Sequence, residues 1–423
     1  MTTSHRWAGR TSLRSRLLRL TAAGAISLTL AACAGDPAAV PPDTSNQGPA
    51  AGGQGVVADA AETAEPPLGL TTIDAAGTVT HLDLLDESVS DLGTVGAPTA
   101  VTTDGRYLFA QTKAGIEIVD SGAWTWDHGD HSHYYRSDPR LLGPLEGDGP
   151  AVVATTNLSS TGGTGVFFAD SGDAVLLDTE ALSEGELVER FRLHTSPHNG
   201  MVVPIGSFAL VTRAENGATA SVAAYTSDGE PTGLEEPCVD AAGTIATRVG
   251  AVIGCRDGAL LATVQQRELT LERIPYPAGT TAAAATAFTN REGRPAVASL
   301  ADTDGVWLLD TRERSWTLLP APAPLVGVTA VDDDDEHVLA LAADGRMLVL
   351  NGEDGAILAE TAPLVADSIA AGHVPALIAD QQRAYLSGPV ERRLYEIDFV
   401  DNARIARAFD TVGSPTFTAE TGR

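Results

Sequence analysis

A short β-rich unit recurs along most of this chain, and this recurrence constrains the fold more than any other feature. Each unit contains short apolar runs separated by Asp-Gly, Asn-Gly and other glycine-rich turns, which is typical of antiparallel strands. The units begin near residues 98, 150, 197, 241, 282, 326 and 373, so their spacing runs from 41 to 52 residues. That period fits four-stranded blades. The sequence therefore predicts an all-β fold, a β-propeller of seven four-stranded blades.

Two terminal segments lie outside the seven units. Residues 71–85 near the front and 403–413 near the end both have the composition of strands. We expect them to pair and close the ring, because closure removes the exposed edges that a linear array of sheets would leave. Six or eight blades are the alternatives, because the second unit is irregular.

The first 33 residues have the pattern of an export signal. Five arginines without an acidic residue precede an apolar stretch at 20–32, which is too short to cross a bilayer. The stretch ends in Leu30-Ala31-Ala32-Cys33, which resembles the lipobox of bacterial lipoproteins. We therefore predict a signal peptide at 1–32 and lipidation of Cys33, with an ordinary signal peptide as the alternative.

The segment that follows the signal is poor in large apolar residues. Residues 33–67 are mostly Ala, Gly, Pro, Asp and Gln, which cannot bury enough surface to offset the entropy of ordering. This composition predicts a disordered tether, followed by a single propeller domain at 68–423. The expected location is the outer face of the cytoplasmic membrane, with a lipid anchor as the contact with the membrane.

The charge of the chain excludes one class of partner. The formal net charge is −29, and removing residues 1–32 with their five arginines makes it −34. A protein this acidic repels phosphate backbones, so we expect no nucleic-acid partner and a soluble monomer held by its anchor.

Two cysteines remain when Cys33 is set aside. An even pair in an exported chain usually forms a disulfide, so we predict a bridge between Cys238 and Cys255. Two thiolate metal ligands are the alternative, but no histidine lies near them in sequence.

A histidine-rich run lies between the first two units. The run WTWDHGDHSHYY places His128, His131 and His133 within six positions, although the chain has only nine histidines. Imidazole nitrogens with the neighbouring carboxylates of Asp127 and Asp130 suit a transition metal, zinc first among them. A polar surface loop that is merely rich in histidine is the alternative.

Two further histidines precede the first strand of a unit, His198 in the third unit and His373 in the seventh. The first strand of each propeller blade lines the central channel, so residues distant in sequence converge around one axis. We therefore predict metal ligands gathered at one mouth of the channel: His128, His131, His133, His198 and His373. Further ligands, or residues that support the ligands, are predicted to be His194, Asp127 and Asp130. For His373 alone, an ordinary buried histidine is the alternative.

Three motifs together resemble a known family. The run DHGDHSHYY, SPHNG at 196–200 and AGHVP at 371–375, on an exported all-β repeat chain, look like the secreted zinc metallochaperones of the AztD type. The likeness spans about residues 69–418. It implies a β-propeller that holds Zn²⁺ outside the cytoplasm and passes it to the zinc-binding solute-binding protein of an ABC importer. Asn199 departs from the family pattern, in which a second histidine often follows the first.

The resemblance implies ligand exchange rather than catalysis, and other classes remain open. A metal-dependent propeller enzyme, a lyase or hydrolase, could use the same histidine cluster. A protein-interaction scaffold would bind no metal at all. Copper is the rival ion because imidazole sites favour it, but Cu(I) prefers sulfur ligands, and only Met201 and Met347 follow the signal.

Overall fold

The computed structural model describes residues 56–423 except 58, 128–130, 303–304 and 412. The described residues lie within one compact unit, Gly52–Arg423. The predicted signal peptide, Cys33 and most of the predicted tether lie outside the described residues, so these assignments stay predictions. The structure is nearly all β, which confirms the predicted fold class.

Eight antiparallel sheets follow one another along the chain. Sheet 1 contains β2 (Gly69–Ile73), β3 (Thr78–Asp83), β4 (Val89–Thr94) and β34 (Phe417–Thr421). Sheet 2 contains β5 (Ala100–Thr103), β6 (Tyr107–Thr112), β7 (Gly115–Asp120) and β10 (Arg140–Leu145). Sheet 3 contains β11 (Ala151–Ala154), β12 (Gly163–Phe168), β13 (Asp173–Asp178) and β14 (Glu189–His194). Sheet 4 contains β15 (Val202–Ile205), β16 (Phe208–Glu215), β17 (Ala218–Thr226) and β18 (Pro231–Pro237).

The second half of the chain repeats this arrangement. Sheet 5 contains β19 (Thr244–Ala246), β20 (Ala251–Cys255), β21 (Gly258–Gln265) and β22 (Glu268–Pro275). Sheet 6 contains β23 (Ala296–Leu300), β24 (Gly305–Asp310) and β25 (Ser315–Pro320). Sheet 7 contains β26 (Leu325–Ala330), β27 (His337–Ala342), β28 (Met347–Asn351) and β29 (Ile357–Glu360). Sheet 8 contains β30 (Leu377–Ala379), β31 (Arg383–Gly388), β32 (Arg393–Asp398) and β33 (Arg404–Asp410).

A ninth, smaller sheet and two short helices complete the described elements. The small sheet is formed by β1 (Ala61–Thr63), β8 (Ala123–Asp127) and β9 (Ser132–Arg136), and we call β8 and β9 the histidine hairpin. The helices are α1 (Thr179–Glu184) and α2 (Ala366–Ala370). Within the described ranges, neither helix is long and apolar enough to cross a membrane.

Hydrophobic packing joins the eight sheets in cyclic order. Ile73 of sheet 1 shares a buried cluster with Leu108 of sheet 2, and similar clusters join each later sheet to the next. Leu70 of sheet 1 also packs with Tyr385 of sheet 8. The last sheet therefore contacts the first, as in a propeller whose blades surround a central channel.

The seven predicted units correspond to sheets 2 to 8, and the terminal segments add an eighth sheet. The described residues therefore form eight successive sheets, which matches the eight-blade alternative rather than the predicted seven, and sheet 6 has three described strands instead of four. The strand that joins the end of the chain to the beginning is β34, which pairs with β2 from Gly69↔Thr421 to Ile73↔Phe417. The prediction that residues 403–413 make this pairing is wrong, because most of them form β33 at the outer edge of sheet 8. Exposed side chains suit that outer edge, whereas the innermost strand is largely buried.

The predicted disulfide is present. Cys238 follows β18 of sheet 4 and Cys255 ends β20 of sheet 5, with a Cα–Cα distance of 5.1 Å. Both residues are buried in the cluster that joins these sheets. Since the bridge closes a loop of 17 residues, it stabilises the fold by about 3 kcal/mol in the chain-entropy model.

Candidate metal centre

The histidine hairpin is inserted between the third and fourth strands of sheet 2, and its base is firmly packed. Trp124 is fully buried and contacts two partners. It stacks on Tyr135 with ring centroids 5.4 Å apart, and the Arg106 guanidinium lies 3.8 Å from a Trp124 ring centroid. Such contacts stabilise a fixed orientation of the hairpin relative to sheet 2.

Arg106 is itself held by a buried carboxylate. Its Nε and Nη2 donate to the two oxygens of Asp120 at 2.9 and 2.8 Å, and both side chains are 0% exposed. Burial alone would raise the pKa of Asp120, but hydrogen bonds and the charge of Arg106 outweigh it and lower this pKa. The hairpin therefore rests on a charged pair that stays ionised.

The imidazoles of His131 and His133 meet at the end of the hairpin. Their Nε2 atoms are 3.1 Å apart. Two imidazole nitrogens bound to one zinc at 2.0 to 2.1 Å in tetrahedral geometry lie about 3.3 Å apart, so the observed spacing is close to that of two ligands on one ion.

Glu62 completes this cluster from another part of the chain. Its Oε1 lies 2.7 Å from Nδ1 of His133. A carboxylate on one ring nitrogen of a histidine directs the other nitrogen toward a metal, and such pairs are common around zinc. Glu62 lies on β1, within the predicted tether, so the ordered part of the chain begins earlier than the composition indicated.

The hairpin crosses the mouth of the central channel. From its base on sheet 2, Thr125 donates a 2.8 Å hydrogen bond to the carbonyl of Gly422, which directly follows β34. Asp127 forms a 3.2 Å ion pair with Arg248, which follows β19 of sheet 5. The hairpin thus connects three sheets at the face where their innermost strands end.

A cavity of about 480 Å³ opens at this face and is lined by innermost strands and the loops that follow them. Its wall includes three carboxylates whose pKa values are raised because surrounding protein reduces their hydration. The pKa of Asp104 rises to about 6, and those of Glu292 and Glu420 rise to about 7, with Arg423 offsetting part of the rise for both glutamates. These three carboxyl groups therefore keep their protons to a higher pH than exposed carboxyl groups do.

His198 is placed differently. It is 6% exposed, its Nδ1 lies 2.7 Å from the carbonyl of Ser196, and its Nε2 lies 3.0 Å from Oγ1 of Thr212. The ring also makes an edge contact with Phe167 at 4.6 Å. Both ring nitrogens have hydrogen-bond partners, so His198 has the environment of a satisfied core histidine.

His373 and His194 also lie away from the hairpin. His373 follows α2, with its backbone N–H bonded to Ser368, and is half-buried before β30. His194 ends the outermost strand of sheet 3, where its side chain is 77% exposed and 2.5 Å from Asp173.

Strand direction separates these histidines into two groups. Strands alternate in direction across each antiparallel sheet, so β7 runs the same way as β5, and the hairpin that follows β7 lies where innermost strands end. His198 and His373 precede innermost strands and lie at the opposite face. The structure therefore brings His131 and His133 together, but it does not gather the predicted ligands at one mouth.

The described residues bring together two of the predicted ligands, His131 and His133. Within residues 56–423 less the gaps given above, no group of three or more His, Cys, Asp or Glu side chains is arranged to hold a metal ion. Two imidazole nitrogens with a supporting carboxylate fit the chemistry of zinc, although the set is smaller than four ligands. His128 and Asp130 lie outside the described residues, so their predicted roles stay predictions.

Sequence reasoning missed Glu62 and Arg248. Glu62 is separated from His133 by 71 positions in a segment of low hydrophobicity, and no local pattern connects the two. The sequence held one signal for such a partner. Side chains alternate along β9, so His133 and Tyr135 lie on one face, and a strand at the edge of a hairpin can pair with a further strand.

The comparisons with known proteins concern the fold. No protein-family model matches the sequence. Two solved structures of AztD from Citrobacter koseri are similar to this chain, each with a TM-score of 0.71 over 84% of this chain and 97% of that chain. Sequence identity is 20% for one and 19% for the other, which is a structure of apo AztD. The chain therefore has the β-propeller fold of AztD.

Proposed function

We propose that this protein is an extracytoplasmic zinc-binding metallochaperone. It holds Zn²⁺ through the histidine hairpin and passes the ion to the zinc-binding solute-binding protein of an ABC importer. The likeness of fold to AztD and the histidine motifs support this function together.

One observation carries the proposal. Two Nε2 atoms lie 3.1 Å apart on a hairpin whose base is buried, and the His131 side chain is exposed. A carboxylate on Nδ1 of His133 directs the Nε2 lone pair of that ring toward the shared point. Such an arrangement can bind a divalent ion through two ligands and leave its other coordination positions open.

An open site suits transfer. With two imidazoles in place, the remaining positions on the ion are left to the ligands predicted from the sequence alone, to water or to a partner. His131 is exposed and the His133 side chain is 32% exposed, so incoming imidazoles can replace the ligands one at a time. The cargo is never released as a free ion, and no bond in a substrate is broken. We therefore favour carriage over catalysis.

The compartment and the partner belong to the same proposal. The lipobox-like end of the signal supports export and anchoring through Cys33, which keeps the protein beside the importer it would serve. An acidic surface that carries His131 and His133 at one face leaves zinc accessible to a soluble or membrane-bound recipient. We propose that the protein acts as a monomer.

Zinc titration of the mature, metal-free protein tests the function. We expect about one tightly bound zinc per chain by calorimetry and elemental analysis, and loss of that zinc in the His131→Ala/His133→Ala double variant. His194→Ala is the matched control, because it removes an exposed imidazole from an outer strand at the other face. His198→Ala and His373→Ala, measured separately, decide whether either predicted ligand contributes. Unchanged stoichiometry in the double variant would contradict the proposal.

A further inference from the structure

The N-terminal strand β1 carries the only described carboxylate that contacts the paired imidazoles of His131 and His133. In the antiparallel pairing of β1 with β9, Glu62 lies opposite Tyr135. Residues two apart on a strand share a face, so Glu62 is the diagonal neighbour of His133. The 2.7 Å contact between the two side chains follows directly from this register.

We propose that Glu62 is a positioning residue for metal binding, and that β1 with Val57 forms a removable strap that sets the affinity of the histidine hairpin. This inference rests on the proposed function for its metal. It assigns to the N-terminal segment a role in holding and releasing the ion, which a passive tether would not have.

The hydrogen bond with Glu62 fixes the tautomer of the His133 ring. An ionised carboxylate can only accept a hydrogen bond, so the short contact requires a proton on Nδ1 of His133. The neutral ring then carries its lone pair on Nε2, which is the atom that faces His131. Without Glu62 this hydrogen bond is lost, and it no longer holds the proton on Nδ1.

The strap is attached by few contacts. The pairing covers three residues, Ala61↔Arg136 to Thr63↔Tyr134. Val57 is 8% exposed and packs against Trp124, Trp126 and Tyr135 at the base of the hairpin. The Glu62 side chain itself is 59% exposed.

Short edge strands of this kind open more readily than the sheets of the core. The hairpin, by contrast, is held by the buried Trp124 and by its contacts to Gly422 and Arg248. Release of the strap therefore removes Glu62 while leaving the two histidines in place, and weakens the site without dismantling it.

Two measurements on the mature protein test this inference. In the metal-free protein, long-range ¹⁵N–¹H spectra report the tautomer of each histidine. We expect His133 protonated on Nδ1 in the wild type, a mixture of tautomers in Glu62→Ala, and recovery of most of the wild-type tautomer in Glu62→Gln, whose amide oxygen still accepts a hydrogen bond. In zinc titrations Glu62→Ala should bind zinc 10- to 100-fold more weakly, the usual range for removing a group that orients a metal ligand.

Glu65→Gln is the matched control, because Glu65 lies three residues along the same segment and its side chain is exposed. It should leave both readouts unchanged. An unchanged tautomer or an unchanged zinc affinity in Glu62→Ala overturns the inference while leaving zinc binding intact. A wild-type protein that binds no zinc overturns the proposed function instead, and the tautomer then still decides whether Glu62 positions His133.

Discussion

Replacement of Asp120 by Asn should loosen the support of the histidine hairpin at a cost of about 3 kcal/mol. The carboxylate accepts two hydrogen bonds from Arg106 and one from Arg140, and Oδ1 also accepts from the backbone of Gly122. Both members of the central pair are 0% exposed. An amide keeps the shape but removes the charge that compensates Arg106.

The magnitude follows from the environment of Arg106. Breaking a buried ion pair by removing one partner costs about 3 to 5 kcal/mol, because the remaining charge is left uncompensated. The amide oxygen still accepts one bond, which favours the lower end of that range. Arg106 has few other hydrogen bonds to compensate for the lost carboxylate, since its Nη1 has no hydrogen-bond partner among the described residues. The stacking on Trp124 alone is worth about 1 to 2 kcal/mol.

Urea unfolding followed by tryptophan fluorescence measures the effect. Asp410→Asn is the control, because Asp410 pairs with Arg393 at the surface, with side chains 82% and 49% exposed. Such a pair contributes about 0 to 1 kcal/mol. If Asp120→Asn destabilises the protein no more than Asp410→Asn does, the stability of the protein does not depend on the buried pair, and the predicted support of the hairpin by Arg106 and Asp120 is wrong.

Three further predictions concern the cavity, the disulfide and His198. The pKa of Glu292 rises from 4.5 to about 7 on folding, so the folded state holds a proton that the unfolded state loses between these values, and stability falls as pH rises through this range. Glu292→Gln should therefore have a higher melting temperature than wild type at pH 8 and the same one at pH 4, whereas the exposed control Glu353→Gln should show no such divergence. The Cys238→Ser/Cys255→Ser variant should lose about 3 kcal/mol in urea unfolding, and reduction of the wild type should reproduce the loss. His198→Ala should lose about 2 to 4 kcal/mol in the same assay, because it leaves a cavity beside Phe167 and removes the partner of Thr212, whereas His194→Ala should change stability by less than about 0.5 kcal/mol.

The repeated sheets could be predicted because each depends on local chemistry. Short apolar runs and glycine turns specify a unit of three or four antiparallel strands where they recur, and sheets 2 to 8 follow the seven predicted units. Sheet 1 could not be assigned in the same way, because β34 and β2 meet across more than 340 residues. Several segments could have supplied its innermost strand.

The site was only partly predictable for a related reason. The density of histidines in one run indicated the hairpin, and the pair of His131 and His133 lies there. The expectation that His198 and His373 join them assumed that all the loops of a propeller lie at the same face of the ring. Counting strand directions shows that a loop after the third strand and a loop before the first strand lie at opposite ends of the channel. Glu62 could not be predicted as part of the site, because its position depends on the pairing of β1 with β9, and the sequence around Glu62 does not indicate that pairing.

X-ray absorption at the zinc K-edge, on mature protein loaded with one equivalent of zinc, tests the central claim most directly. We expect nitrogen and oxygen neighbours at about 2.0 to 2.1 Å, with the outer-shell scattering typical of at least two imidazoles. We also expect the imidazole scattering to disappear in the His131→Ala/His133→Ala variant. Imidazole scattering that persists unchanged in that variant would place the ion elsewhere and contradict zinc binding by the histidine hairpin.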